Sequence, residues 1–338
     1  MKNKPVLILG LFILLALAAS VIVYSGTEDV QEDQEFKVTR NLMNTPITIT
    51  VIHTDETYAY ESIERAFDKI ENIEKTMSHF NNNSEVATLN REGVIHEADP
   101  GMVYVIETSK RYSELSNGAF DITIKPILDL WESKFKPGGT FEPPKPEEIN
   151  NTLQLVDYSS IEIEGNTIEI KPDMSIVLGG IAKGYAVDMA IESLKNDGIE
   201  NAFVNAGGDG KYIGLSSRQS PWKVGLQNPD REQEFITIIN MHDMAVATSG
   251  NYERYFSDDA RASHIADPRT GYPSEELISA TVIAEDAISA DSLATAVFVM
   301  GKEDGLEMIE QLEKTECLII TDDKEIIRSS GFSNYEAS

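Results

Sequence analysis

The apolar positions of the chain fall into short blocks with two different periods. ITITVI at 47–52 alternates as a half-buried strand does, and Ile63, Phe67, Ile70, Ile73 or Glu74, and Met77 then recur at the spacing of one helix face. A strand followed by an amphipathic helix is therefore the first predicted unit. A second helix is predicted over 100–116, closed by Asn117-Gly118, a pair suited to the left-handed backbone of a helix C-terminus. IEIEGNTIEI at 161–170 alternates on both sides of Gly165-Asn166 and predicts a hairpin. KPGGTFEPPKPEE at 136–148 holds four prolines and two glycines and is predicted to be a surface loop.

The C-terminal half repeats the mixture. Helical spacing over 183–196 ends at Gly198, AFVNA at 202–206 has the character of a buried strand, and GGDG at 207–210 breaks it. Further helices are predicted over 290–300, with Gly301 after it, and near 303–314, followed by the strand CLIIT. Hairpins beside single helices predict an α+β fold rather than a regular βαβ sheet. The sequence shows no internal repeat and no composition shift that would divide 36–338 into two domains.

The N-terminus changes the picture. Lys2 and Lys4 precede 19 uncharged, mostly apolar residues at 6–24, and Glu28 and Asp29 follow. At about 1.5 Å per residue such a helix spans roughly the hydrocarbon of a bilayer, with its basic end in the cytoplasm. ALA at 16–18 resembles a cleavage site, so residues 1–26 are a membrane anchor or a signal segment. The apolar run continuing to Tyr24 favours the anchor; either way the remaining chain is expected outside the cytoplasm. Residues 27–35 are a polar, acidic spacer.

Composition then excludes several functions. Lys and Arg number 28 against 57 Asp and Glu, a net charge of −29 that repels phosphate backbones and argues against nucleic acid. The single cysteine, Cys317, permits no disulfide within the chain and no cysteine-based metal site. The histidines other than His264 have no ligand-like spacing, which argues against histidine-bound zinc.

Three stretches carry candidate chemistry. VLGGIAKGYAVD at 177–188 has the pattern of a strand turning tightly into a helix, where free N–H groups and Lys183 favour an anion. It matches neither standard nucleotide fingerprint, and tight packing at Gly179, Gly180 and Gly184 is the competing reading. SHIADPRTGYP at 263–273 is a rigid loop whose His264 is either a general base or simply exposed. SADSLATAVFVMG at 289–301 places Asp291 and Thr295 one helical turn apart in an apolar run. If Ser289 caps that helix, Asp291 lies in its first turn and answers the helix dipole. The same oxygen pair also suits Mg²⁺, a hard ion that takes one or two carboxylates and completes its shell with phosphate oxygens and water.

MSHFNNNSEVATLN (77–90), GAFDITIKPILDLW (118–131), LGGIAKGYAVD (178–188), NAGGDG (205–210), SGNYERYF (249–256), SHIADPRTGYP (263–273) and ADSLATAVFVMG (290–301) together closely resemble the ApbE family of FAD:protein FMN transferases. The resemblance implies a single mixed α/β catalytic domain of T-fold-like type over 36–338. It implies an enzyme that uses Mg²⁺, splits the FAD diphosphate and attaches FMN by a phosphoester to a Thr or Ser of an exported acceptor protein, releasing AMP. It further implies metal ligands Asp291, Thr295 and a backbone oxygen of Gly180, and flavin contacts from Met43, Phe80, Ala119, Phe120 and Asp121. Contacts on the phosphate or adenine side fall near Lys183 and Ile265, and His264 corresponds to the proposed base. Two departures stand out: Val177 occupies a position that is often acidic in the family, and LAAS at 17–20 lacks the lipobox cysteine of many relatives.

Overall fold

The computed structural model describes residues 33–136, 138–229, 231–251, 255–257, 262–263 and 265–337. The expected anchor, most of the spacer, and His264 lie outside the described residues. Among those described, no helix is long and apolar enough to cross a membrane.

The chain opens with a hairpin, β1 (Gln34–Leu42) and β2 (Thr45–His53), then α1 (Glu56–Met77), α2 (Glu85–Glu92), β3 (Val94–Ile95) and α3 (Pro100–Leu115). α4 (Lys125–Phe135) and α5 (Pro146–Leu153) precede the short hairpin of β4 (Glu162–Glu164) and β5 (Thr167–Glu169), which β3 joins. There follow α6 (Ala182–Asn196), β6 (Asn201–Ala206), β7 (Asp209–Ile213), β8 (Trp222–Asn228), β9 (Arg231–Met241) and β10 (Met244–Gly250). The chain continues through β11 (Tyr255–Ser257), β12 (Ala262–Ser263), β13 (Leu277–Ala284), α7 (Ala287–Met300), α8 (Lys302–Glu310), β14 (Glu316–Thr321) and β15 (Ile326–Arg328).

Eight strands form the main sheet in the order β1-β2-β6-β7-β10-β13-β14-β15, each pair antiparallel. Alternation along these strands feeds two cores. Ile47, Ile49 and Val51 of β2, Val204 of β6, Ala247 of β10, Val282 of β13 and Cys317 and Ile319 of β14 face the core shared with α1, α6 and α7. Phe203, Val246, Ile283, Leu318 and Ile320 point the other way, toward Trp222, Leu226 and Ile239 of the β8–β9 hairpin. The fold is thus the expected mixture of α and β.

Local sequence explains the helix boundaries. Asp99 accepts from Gly101 N–H at 2.8 Å ahead of Pro100, which suits a first helical position because it has no N–H to leave unpaired. Asn117 and Gly118 follow α3 with φ of 51° and 80°, the left-handed termination that the sequence anticipates. The proline-rich segment is only partly the expected loop, since Pro146 opens α5. The predicted break at GGDG is a two-residue turn: Gly207 and Gly208 take φ of 65° and 111°, and Asp209 already belongs to β7.

α7 is buried around almost its whole circumference, with β10 and β13 on one side and α3, α6 and α8 on others. Its start corrects the sequence reading. The cap is Asp286, whose Oδ1 accepts from Ser289 N–H at 2.8 Å, and the helix begins at Ala287, not after Ser289. Asp291 is therefore past the first turn, where a carboxylate does little for the dipole.

Candidate active site

A cavity of about 1030 Å³ opens between the turn preceding α6, the first residues after α3, the β1–β2 turn and α7. Met43, Phe80, Ala119, Phe120, Asp121, Gly180, Lys183, Ile265, Asp291 and Thr295 all line it. Every described residue that the sequence singles out for metal or flavin is thus brought to one place, although more than 250 positions separate the first from the last.

The oxygen-bearing group is built by two helices that touch. α6 approaches α7 so closely that a Cβ on Gly184 would sit 2.2 Å from the carbonyl oxygen of Ala287. That approach lets Gly184 N–H donate to Asp291 Oδ2 at 3.0 Å, with Asp291 only 4% exposed. The anion expected at the start of α6 is thus supplied in part by a side chain of the protein itself. Thr295, one turn further along α7, shares a hydrogen bond with Ser249 Oγ at 3.1 Å. A Cβ on Gly180 would lie 2.8 Å from Thr295 Oγ1 and 3.3 Å from the Phe120 ring, so only glycine lets this backbone come so near. Tight packing thus accounts for Gly184, against the Ala287 carbonyl, and for Gly180, against Thr295 and Phe120.

This donor set fits a hard divalent ion. One buried carboxylate, one hydroxyl and an adjoining backbone carry only oxygen ligands, the chemistry of Mg²⁺ rather than of zinc. Among the described residues, no group of three or more His, Cys, Asp or Glu side chains could hold a metal. An ion at Asp291 and Thr295 would accordingly need further oxygens from its substrate.

Lys183 faces the same cavity, and its amine pairs with the carboxylate of Asp209, a residue 1% exposed. The other Asp209 oxygen accepts from Thr248 N–H at 3.1 Å and so ties β7 to β10 beside Ser249. Asp121 is committed locally: Oδ1 accepts from Thr123 N–H at 2.8 Å and Thr123 Oγ1 at 2.7 Å, and Oδ2 from Tyr158 N–H at 3.1 Å. Burial holds its carboxyl above the ordinary carboxylate range despite those donors. Phe120 beside it packs edge-on against Tyr112, whose hydroxyl bonds Ser289 Oγ at 2.6 Å and ties α3 to α7.

On the opposite wall, Met43 and Asn44 turn β1 into β2 with φ of 51° and 61°. A left-handed methionine costs about 1 kcal/mol, and Met43 N–H is held by Glu74 Oε1 at 2.9 Å. Phe80 is 64% exposed at the cavity and lies against the His79 ring at 3.9 Å between centroids. Val177 lines the cavity with an apolar side chain.

Sequence reading missed Ser249, Glu74, Asp188 and Lys211. The last two form an ion pair of 2.8 Å behind the cavity, and the Asp188 carboxyl is raised by burial although Lys211 draws it down. Asp188 ends the quoted run GGIAKGYAVD, so its signal was one turn from Gly184, but its partners at 211 and 287–288 are visible only in three dimensions.

The sequence pattern of the ApbE family matches residues 43–319, which includes all the cavity residues named above. The chain belongs to the ApbE family. It is 31% identical over 336 residues to a FAD:protein FMN transferase of Vibrio cholerae, with 96% of each chain covered. It is 30% identical over 309 residues to one of Klebsiella pneumoniae, covering 89% of this chain and 94% of that protein. The crystal structure of the ApbE protein of Thermotoga maritima superposes with a TM-score of 0.82 at 33% identity, over 90% of this chain and all of that one. The flavin transferase ApbE of Vibrio cholerae gives 0.76 at 29% identity, over 90% and 99%. The mixed α+β architecture is thus that of the family.

Proposed function

We propose that this protein is an exported FAD:protein FMN transferase, with 36–338 as its catalytic domain and the apolar segment at 6–24 as its membrane anchor. The observation that carries the reading is the meeting of Gly180, Asp291, Thr295 and Lys183 with Phe120 around one cavity of about 1030 Å³, in a member of this family. That volume is of the size a dinucleotide needs.

In this reading Asp291, Thr295 and the backbone oxygen of Gly180 hold Mg²⁺, which supplies charge neutralisation at the diphosphate and on the departing phosphate. Lys183 lies on the same wall and adds a cation toward the diphosphate while Asp209 keeps it in place. Met43, Phe80 and the Ala119-Phe120-Asp121 segment orient the flavin, and Ile265 lies on the phosphate or adenine side. His264 takes the proton from the acceptor Thr or Ser hydroxyl. The hydroxyl oxygen then bonds to the phosphorus on the flavin side, the bridging P–O bond breaks, and the electron pair leaves with AMP.

The test incubates the purified protein with FAD, Mg²⁺ and a flavin-acceptor domain from the same organism. FMN that stays on the acceptor after denaturation supports the proposal. AMP without labelled acceptor makes the protein a FAD pyrophosphatase, and retained FAD without AMP makes it a flavin-binding protein.

A further inference from the structure

Behind the cavity, β7 and α6 face each other with charges in opposite order. β7 presents Asp209 and then Lys211; α6 presents Lys183 and then Asp188. Asp209 pairs with Lys183, and Lys211 pairs with Asp188 at 2.8 Å. A slip of α6 along the strand would set like charges together, so the two pairs fix its register. Asp188 does more than pair. Its Oδ1 also accepts from Ala287 N–H at 3.0 Å and its Oδ2 from Ile288 N–H at 2.9 Å, which are two of the unpaired amides at the start of α7. One turn away along both helices, Gly184 N–H reaches Asp291 Oδ2. α6 and α7 are therefore joined at two levels, one bearing a proposed metal ligand and one bearing Asp188. Asp188 does not line the cavity.

We infer that Asp188, held by Lys211, is a positioning residue that sets α7 against the glycine turn so that Asp291, Thr295 and Gly180 converge on one metal ion. The inference rests on the function proposed above. Among the described residues the polar partners of Asp188 are the Ala287 and Ile288 amides and Lys211, so its contribution is to the geometry of the ligands. Asn at 188 keeps the shape but turns an N–H donor toward one of those helix amides and removes the charge that Lys211 answers.

The test measures Mn²⁺ binding to the FAD-loaded full-length protein through the loss of the free-ion paramagnetic resonance signal. It also measures AMP release against Mg²⁺ concentration. Parent, Asp188→Asn and Lys211→Met are compared with Glu276→Gln, a control in which a carboxylate that accepts from Lys302 N–H at 2.8 Å loses its charge at the start of α8, which carries no site residue. Partners that orient metal ligands are worth about tenfold or more in affinity. Asp188→Asn is expected to weaken Mn²⁺ binding by about tenfold. Lys211→Met shifts it in the same direction, AMP release returns at high Mg²⁺, and FAD retention in EDTA is unchanged. Glu276→Gln lowers the melting temperature and leaves metal affinity alone. If Asp188→Asn does not fold, Lys211→Met carries the comparison. Metal affinity within twofold of parent in the variants that fold overturns the inference while leaving the function intact. A parent that neither binds Mn²⁺ nor releases AMP overturns both.

Discussion

Gly184 and Asp291 lie 107 residues apart in sequence and share a hydrogen bond of 3.0 Å from backbone N–H to Oδ2. The bond exists because residue 184 has no side chain: a methyl group there would meet the Ala287 carbonyl at 2.2 Å. Gly184→Ala must push α6 from α7, and overpacking against backbone costs about 1–3 kcal/mol. Urea denaturation is expected to show a loss of that size, and AMP release by the variant is expected to need more Mg²⁺ than the parent. Unchanged stability would mean that the helices part freely.

A second prediction concerns pH. The Asp121 carboxyl is held above its ordinary value of 3.8 by burial, so the folded protein keeps this proton more tightly than the unfolded chain does. The sign follows: between 3.8 and the raised value the folded state binds more protons, and Asp121 contributes less stability as pH rises through that window. Above the window its contribution is constant. Asp121→Asn removes this titration, so the unfolding free energy of parent minus variant falls with rising pH across the carboxylate range and then levels. A difference that grows with pH contradicts the assignment.

Cys317 is the simplest check on the core. It is fully buried on β14, and burial, with Glu316 and Glu310 nearby, pushes its thiol up to about 12. Thiolate is the reactive form, so the folded protein is expected to resist iodoacetamide at pH 8 and to take up one label per chain in urea. Rapid labelling of the folded protein would show that β14 opens.

For His264 the expectation separates chemistry from binding. General-base catalysis is worth about 100-fold or more, so His264→Ala is expected to lose FMN transfer by at least that factor and to retain FAD. Transfer at the parental rate would place the base elsewhere.

Much of this fold was legible because local periodicity and turn residues agreed with it. α1, α3, α6 and the β4–β5 hairpin follow directly from apolar spacing and from Asn117-Gly118, Gly198 and Gly165-Asn166. β13 was not read, because LISATVIA is buried on both faces and loses the alternation that marks a half-buried strand. The start of α7 was misread for a related reason: Ser289 is a good cap by type, but Asp286 stands three residues earlier with its carboxylate on Ser289 N–H. The site was legible in its parts, as a glycine turn, a carboxylate and a hydroxyl. The clamp of Asp188 on Ala287 and Ile288 was not, since it joins α6 to an element about 100 positions away with no local signature.

Asp291 is the proposed oxygen ligand beside the diphosphate, and the direct test of that role is AMP release from FAD by parent and Asp291→Ala at saturating Mg²⁺. Loss of a metal's charge stabilisation is worth several kcal/mol, so release is expected to fall by about 100-fold or more while FAD retention drops far less. Equal AMP release by the two proteins would contradict it.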